Sequence, residues 1–282
     1  TKRLENKTRL DGNFEFKSKN YIQNYQTNTW EKINVNNLIF KSNPSTTNMG
    51  FYNNYEFFIR NANSDTQNSS NFKDGENFYL SGLLQFNSSL PLIKNNDYTS
   101  KILTPKISLK ISPRNNTKDV RDTDNRIDVN NIFALDRLSS DEAVESGISI
   151  AYGSDFNISK KTDSRDIFSL KLANNLRLKK QDDLPNNNQL GAKTSNFFAE
   201  ASYSPNEFLT SKYNFSTKNN LTKINYENLS AIISINNFVT TFDYLNENNS
   251  SERNSYLLNQ TSYNFNESNN VTFSTRENKK TN

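Results

Sequence analysis

Apolar and polar side chains alternate along most of this 282-residue chain. A period of two is the signature of a strand with two unlike faces. The clearest run sets Leu103, Pro105, Ile107, Leu109 and Ile111 against Thr104, Lys106, Ser108, Lys110 and Ser112. Phe78, Leu80, Gly82, Leu84 and Phe86 share one parity, as do Val144, Ile148, Ile150, Tyr152, Phe156 and Ile158. The pattern returns in Phe168, Leu170, Leu172, Leu176 and Leu178, in Phe197, Ala199, Ala201 and Tyr203, and in Leu229, Ala231, Ile233 and Ile235. Helical periodicity is nearly absent. The best candidate, 128–145 with Ile132, Phe133, Leu135 and Leu138, is short and flanked by Asn and Ser, and reads as a structured loop.

The breaks between alternating runs fall into two sets. One set lies near 20–29, 62–76, 113–143, 179–193, 218–220 and 246–252 and contains the longest connections. The other lies near 42–49, 89–98, 159–165, 204–206, 236–237 and 266–270 and is mostly short. Segments that connect alternately at a long-loop end and a short-turn end form an antiparallel meander of about a dozen strands, each roughly ten residues long.

Composition decides what such a meander can bury. Apolar residues make up 33% of the chain, against a usual ~45–50%, and mean hydropathy is -0.88. A sandwich of this length buries one face of every strand and carries more aliphatic residues. A wide transmembrane barrel has a wet, polar interior and needs no apolar core. Its strands span about 9–11 residues and turn apolar side chains to lipid. The sequence therefore predicts an all-β fold, an antiparallel transmembrane β-barrel with short periplasmic turns and longer extracellular loops. Residues 1–282 read as one partial barrel domain, with 113–143 a long extracellular loop. Phe51, Phe78, Tyr152, Tyr203 and Tyr244 suit aromatic girdles at the strand ends. No apolar run approaches the ~18 residues of a membrane helix. The chain opens at Thr1 on polar residues and stops in another polar stretch, and so reads as a piece of a longer protein.

Much chemistry is excluded by what is missing. There is no Cys and no His, hence no zinc finger, no imidazole base and no disulfide. Seven scattered Gly supply neither a Rossmann nor a P-loop motif. Charges are dispersed, with 34 Lys and Arg against 30 Asp and Glu, so no basic footprint for nucleic acid forms. Asp122 to Asp128 resembles the start of a calcium loop but places Arg126 and Ile127 where such a loop wants Asp or Asn and then Gly. The pairs Asp141-Glu142 and Asp182-Asp183 sit in expected loops and do not converge as a glycosidase pair would. No catalytic residue, metal site or cofactor is expected. Lys106 and Lys110 share the polar face of one strand; they either meet an anionic substrate or balance carboxylates across the interior.

The run Thr104-Pro105-Lys106-Ile107-Ser108-Leu109-Lys110-Ile111-Ser112-Pro113 resembles a strand of the LptD (OstA) family of outer-membrane lipopolysaccharide-assembly proteins. The stretch that follows is similar too: Asn131, Ile132 and Phe133, then Asp136, Arg137, Leu138 and Ser139, then Asp141, then Glu145, Ser146 and Gly147, then Tyr152 and Gly153. The likeness is specific over about 102–155 and elsewhere is one of rhythm. Leu138 stands where the family prefers Phe, Ser140 where it prefers Gly, and Glu142 where a basic residue is usual. The family's jelly-roll domain, cysteines and closing strand are not in this chain.

The resemblance implies the central to C-terminal part of a non-enzymatic translocon in the bacterial outer membrane. Its substrate would be lipopolysaccharide and its partners an LptE-type plug lipoprotein and periplasmic jelly-roll bridge proteins. Asn131, Phe133, Asp136, Arg137, Ser139, Gly147 and Gly153 are the residues that carry the likeness. The alternatives are a porin-like or uptake channel, or a soluble β-rich adhesion protein.

Overall fold

A computed structural model describes residues 2–4, 11–25, 28–69, 74–113, 126–138, 143–248, 253–266 and 268–279. Within them the alternating runs become one 16-stranded sheet. The strands are β1 (Lys2–Leu4), β2 (Gly12–Asn24), β3 (Trp30–Ser42), β4 (Ser45–Thr46), β5 (Tyr52–Gln67), β6 (Gly75–Ser89), β7 (Leu92–Asn95) and β8 (Thr99–Ser112). They continue as β9 (Gly147–Lys160), β10 (Asp166–Arg177), β11 (Phe197–Tyr203), β12 (Leu209–Thr217), β13 (Ile224–Ile235), β14 (Phe238–Asn248), β15 (Arg253–Asn266) and β16 (Asn269–Asn278). No helix occurs among the described residues.

Every pairing is antiparallel, and each long strand pairs with the long strands before and after it in the chain. The short β4 and β7 extend the sheet beside β5 and β8. The two edges, β1 and β16, are not joined, so the sheet is open. The expected meander is therefore present. Closure into a barrel is not.

The two faces of the sheet carry the reverse of a soluble protein's polarity. On β8, Ser108, Lys110 and Ser112 are buried, whereas Leu103, Ile107 and Ile111 on the opposite parity are exposed, Ile111 by 42%. Register extends both rows across the sheet. Lys110 lies opposite Ser149, and Ser149 opposite Arg177, all buried; Ile111 lies opposite Ile148 on the exposed side. On β6, Ser81, Leu83 and Gln85 are buried while Phe78, Leu80, Leu84 and Phe86 are exposed. Apolar area exposed on this scale forfeits about 25 cal/mol per Å² in water. The expected girdle residue Tyr152 lies in the middle of β9, whereas Tyr203 does end β11.

The buried face is covered by the chain itself. Residues 126–138 and 143–146, part of the expected loop 113–143 and the residues after it, pack against it. Ile127, Val129, Ile132, Leu138 and Ala143 cluster with Ala151, Ala173 and Phe198 of the sheet and with Leu184 and Leu190 of the β10–β11 connection. Leu135 and Val144 cluster with Phe58 and Leu83. Each such aliphatic side chain contributes about 1.5–3 kcal/mol by burial.

The same segment shows that the sheet is curved. Asp136 pairs with Arg60 on β5, and Arg126 pairs with Glu247 on β14. Those strands are eight places apart, about 38 Å across a flat sheet at ~4.8 Å per strand. The segment between the two residues is folded back by the Ile132 N–H donating to Asp128 O and the Ala134 N–H to Asn131 O. A folded segment of that length reaches both strands only if the sheet curls around it.

Candidate functional site

Arg137 anchors the covering segment. Its side chain, 1% exposed, donates from Nε and Nη2 to the two carboxylate oxygens of Glu145, both at 2.5 Å. It also donates to Ser149 Oγ at 2.9 Å, Asn175 Oδ1 at 3.0 Å and Ile132 O at 3.0 Å. Arg177 reaches the same carboxylate from β10 and donates to Ser146 O at 2.8 Å and Leu190 O at 2.7 Å. Lys110 donates to Ala134 O and Leu135 O. Two guanidinium groups thus converge on Glu145, with the Lys110 amine within electrostatic reach. Burial alone would raise the Glu145 carboxyl, but the Arg137 and Arg177 guanidinium groups and the Lys110 amine outweigh it and hold the group well below the usual carboxylate range.

Flanking contacts fasten the ends. Arg60 pairs with Asp136 at 3.1 Å and donates to Ala143 O at 3.2 Å and to Asn37 Oδ1 at 2.8 Å. Arg126 lies 2.8 Å from Glu247 and stacks over the Tyr226 ring. Asn130 donates to Glu200 Oε2 at 3.1 Å, a carboxylate that Lys171 and Lys212 also reach at 3.1 and 3.0 Å. Asn131 shapes the turn: its side chain accepts from the Asp128 N–H at 2.9 Å and donates to Arg126 O at 2.9 Å. Asn and Asp close such turns because their short side chains reach the backbone within three residues.

Lys106 pairs with Asp155 at 2.8 Å, and its amine sits 4.5 Å over the Phe133 ring. Gln85 Nε2 donates to Phe133 O at 2.8 Å. Beside this group is a cavity of about 430 Å³ lined by Asn54, Asn87, Ser89, Lys106 and Phe133. It offers amide, hydroxyl and ammonium groups with two aromatic rings, Phe133 and Tyr52. No nucleophile with an adjacent base is found there.

Two glycines are demanded by the packing. Gly147 starts β9 at φ +85, which an L side chain rarely adopts. A Cβ on Gly153 would lie 2.1 Å from Leu172 O, so only glycine allows β9 and β10 to pair there.

The structure thus gathers Lys106, Lys110, Asn131, Phe133, Asp136, Arg137 and Gly147 into one neighbourhood, with Gly153 opposite Lys106 in register. Ser139 lies outside the described residues. Arg60, Gln85, Glu145, Asn175 and Arg177 complete the latch and were not singled out as site residues. The parity of β5, β6 and β10 places four of them on the polar face. Among the described residues, no group of three or more acidic side chains could hold a metal ion. No protein-family model matches this chain, and no curated protein matches it.

Proposed function

We propose that the chain is part of an outer-membrane β-barrel, and that its inward-packed residues 126–138 and 143–146 belong to a resident plug. The reversal of polarity carries this reading. Leu84, Phe86, Ile107, Ile111, Ile148 and Leu176 stand exposed on one face, while Arg60, Lys110, Arg177 and Glu200 are buried on the other. Water penalises that arrangement and a bilayer rewards it. A soluble adhesion protein would place the apolar face inside. The curl of the sheet around its own loop supports closure by additional strands.

Within that class we propose a lipopolysaccharide translocon of the LptD (OstA) type, non-enzymatic and partnered by an LptE-type lipoprotein and periplasmic jelly-roll bridge proteins. The supporting observation is local. Of the residues that carry the resemblance, Asn131, Phe133, Asp136, Arg137 and Gly147 lie in or beside the latch. A passive porin needs an unobstructed interior, whereas the latch here bridges from β5 to β14 across the polar face. Depleting the full-length protein should lower lipopolysaccharide at the cell surface. Unchanged surface levels would remove the translocon reading and leave a gated uptake channel.

A further inference from the structure

The exposed apolar face is interrupted on β2, β3 and β5. On β8 its apolar side chains run from Leu103 to Ile111, whereas on β5 they run only from Tyr55 to Ile59 before Asn61, Asn63 and Asp65 take over on the same parity. Register places Ser18 beside Asn36 and Asn36 beside Asn61, then Asn20 beside Asn34 and Asn34 beside Asn63. These side chains form a ladder. Ser18 Oγ donates to Asn36 Oδ1 at 2.7 Å, and Asn36 Nδ2 to Asn34 Oδ1 at 2.7 Å and Asn61 Oδ1 at 3.3 Å. Asn63 Nδ2 donates to Asn34 Oδ1 at 3.0 Å and Asn61 Oδ1 at 2.8 Å, and Asn34 donates to Asn20.

What surrounds the ladder narrows the ligand. The neighbouring rows toward the short-turn end are aromatic and aliphatic, with Phe16, Leu38 and Ile59 in one and Phe14, Phe40 and Phe57 in the next; Phe40 and Phe57 stack at 5.2 Å. Leu80 and Phe78, 55% and 71% exposed, continue the two amide rows onto β6. Asn20, Lys32, Asn34, Asn63, Asp65 and Phe78 line a concavity of about 910 Å³. Lys32 is spoken for by Asp65 at 3.3 Å. Glu76, opposite Asp65, also lines it, so the patch carries two carboxylates against one cation; it is rich in hydrogen-bonding groups and contiguous with a surface suited to acyl chains. A phosphate headgroup finds no excess cation there. A neutral saccharide does find carboxamides, each with two donors and an acceptor oxygen, aligned in rows.

We propose that this outward amide ladder on β2, β3 and β5 binds the neutral saccharide headgroup of a glycolipid whose acyl chains lie on the aromatic rows beside it. The proposal rests on the barrel reading. It is tested by inserting the protein into phosphatidylcholine vesicles doped with digalactosyl diacylglycerol or, separately, with phosphatidylglycerol, and weighing the lipids retained after detergent extraction by native mass spectrometry. The galactolipid should be enriched over phosphatidylcholine and phosphatidylglycerol should not. Replacing Asn34, Asn61 and Asn63 by Leu should reduce that enrichment about fivefold, the scale of one to two net hydrogen bonds. The single substitution Asn63→Leu should reduce it in the same direction if the triple variant fails to insert. Equal retention of all three lipids, or enrichment untouched by both variants, overturns the ladder proposal alone. Failure of the unaltered protein to enter vesicles overturns the barrel reading and the ladder with it.

Discussion

Glu145 is the residue on which the covering segment depends, because both the Arg137 and the Arg177 guanidinium groups pair with its carboxylate. Replacing Glu145 with Ala leaves buried cations without their counter-ion and should cost about 3–5 kcal/mol. Chemical denaturation in detergent measures that loss. Arg137→Lys should also destabilise, since an ammonium cannot reproduce the paired donation to both oxygens. The pH dependence follows from the sign of the shift. A carboxyl depressed in the folded state contributes its full stability above its unfolded value near ~4.3 and loses it as pH falls through the folded value. The latch should therefore hold at neutral and mildly acid pH and release only in strong acid. Glu145→Gln should abolish that acid-dependent part of the stability, and an unchanged acid limb in the variant would place the transition elsewhere.

Strand pairing and loop docking act at the next scale, and they differ in how far sequence reveals them. The parity of β8 to β10 was readable because alternation fixes which side chains share a face. The long connection after β8 was readable as a break in that rhythm. Its direction was not. Ile127, Val129 and Ile132 look like loop hydrophobics until Ala151, Ala173 and Phe198 are seen beneath them. Arg60 meets Asp136 across 76 positions, a pairing no local pattern encodes. The two-residue β4 and four-residue β7 are too short to show a period. Gly153 was legible only through resemblance, and the structure supplies the reason: a Cβ there would lie 2.1 Å from Leu172 O. Gly153→Ala should force β9 and β10 apart, at a cost of about 1–3 kcal/mol. Loss of amide protection centred on Leu172 and Ala173 in hydrogen exchange would register it, and a variant with unaltered protection would mean the strands absorb the methyl.

At the scale of the molecule, the sheet is open, with an apolar face outward and a charged face inward, and the barrel proposal would supply lipid for the first and closure of the seam for the second. The latch adds a functional consequence. Reconstituted into planar bilayers within its full-length protein, the barrel should conduct little while the segment is seated. Deletion of 126–146 should open a steady conductance through the interior, and a deletion variant as closed as the parent would show that the segment is not the obstruction.

These 282 residues contain no cysteine, which makes the central claim directly measurable on them. Single cysteines placed in turn from Leu103 to Ser112 carry spin labels along β8, and collision rates with oxygen and with a water-soluble nickel chelate report lipid and water exposure in vesicles. The account predicts a period of two, with high oxygen contact at 103, 107, 109 and 111 and shielding from both probes at 108 and 110. High nickel contact at the apolar positions, with the protein recovered in the aqueous phase without detergent, would contradict a membrane barrel outright.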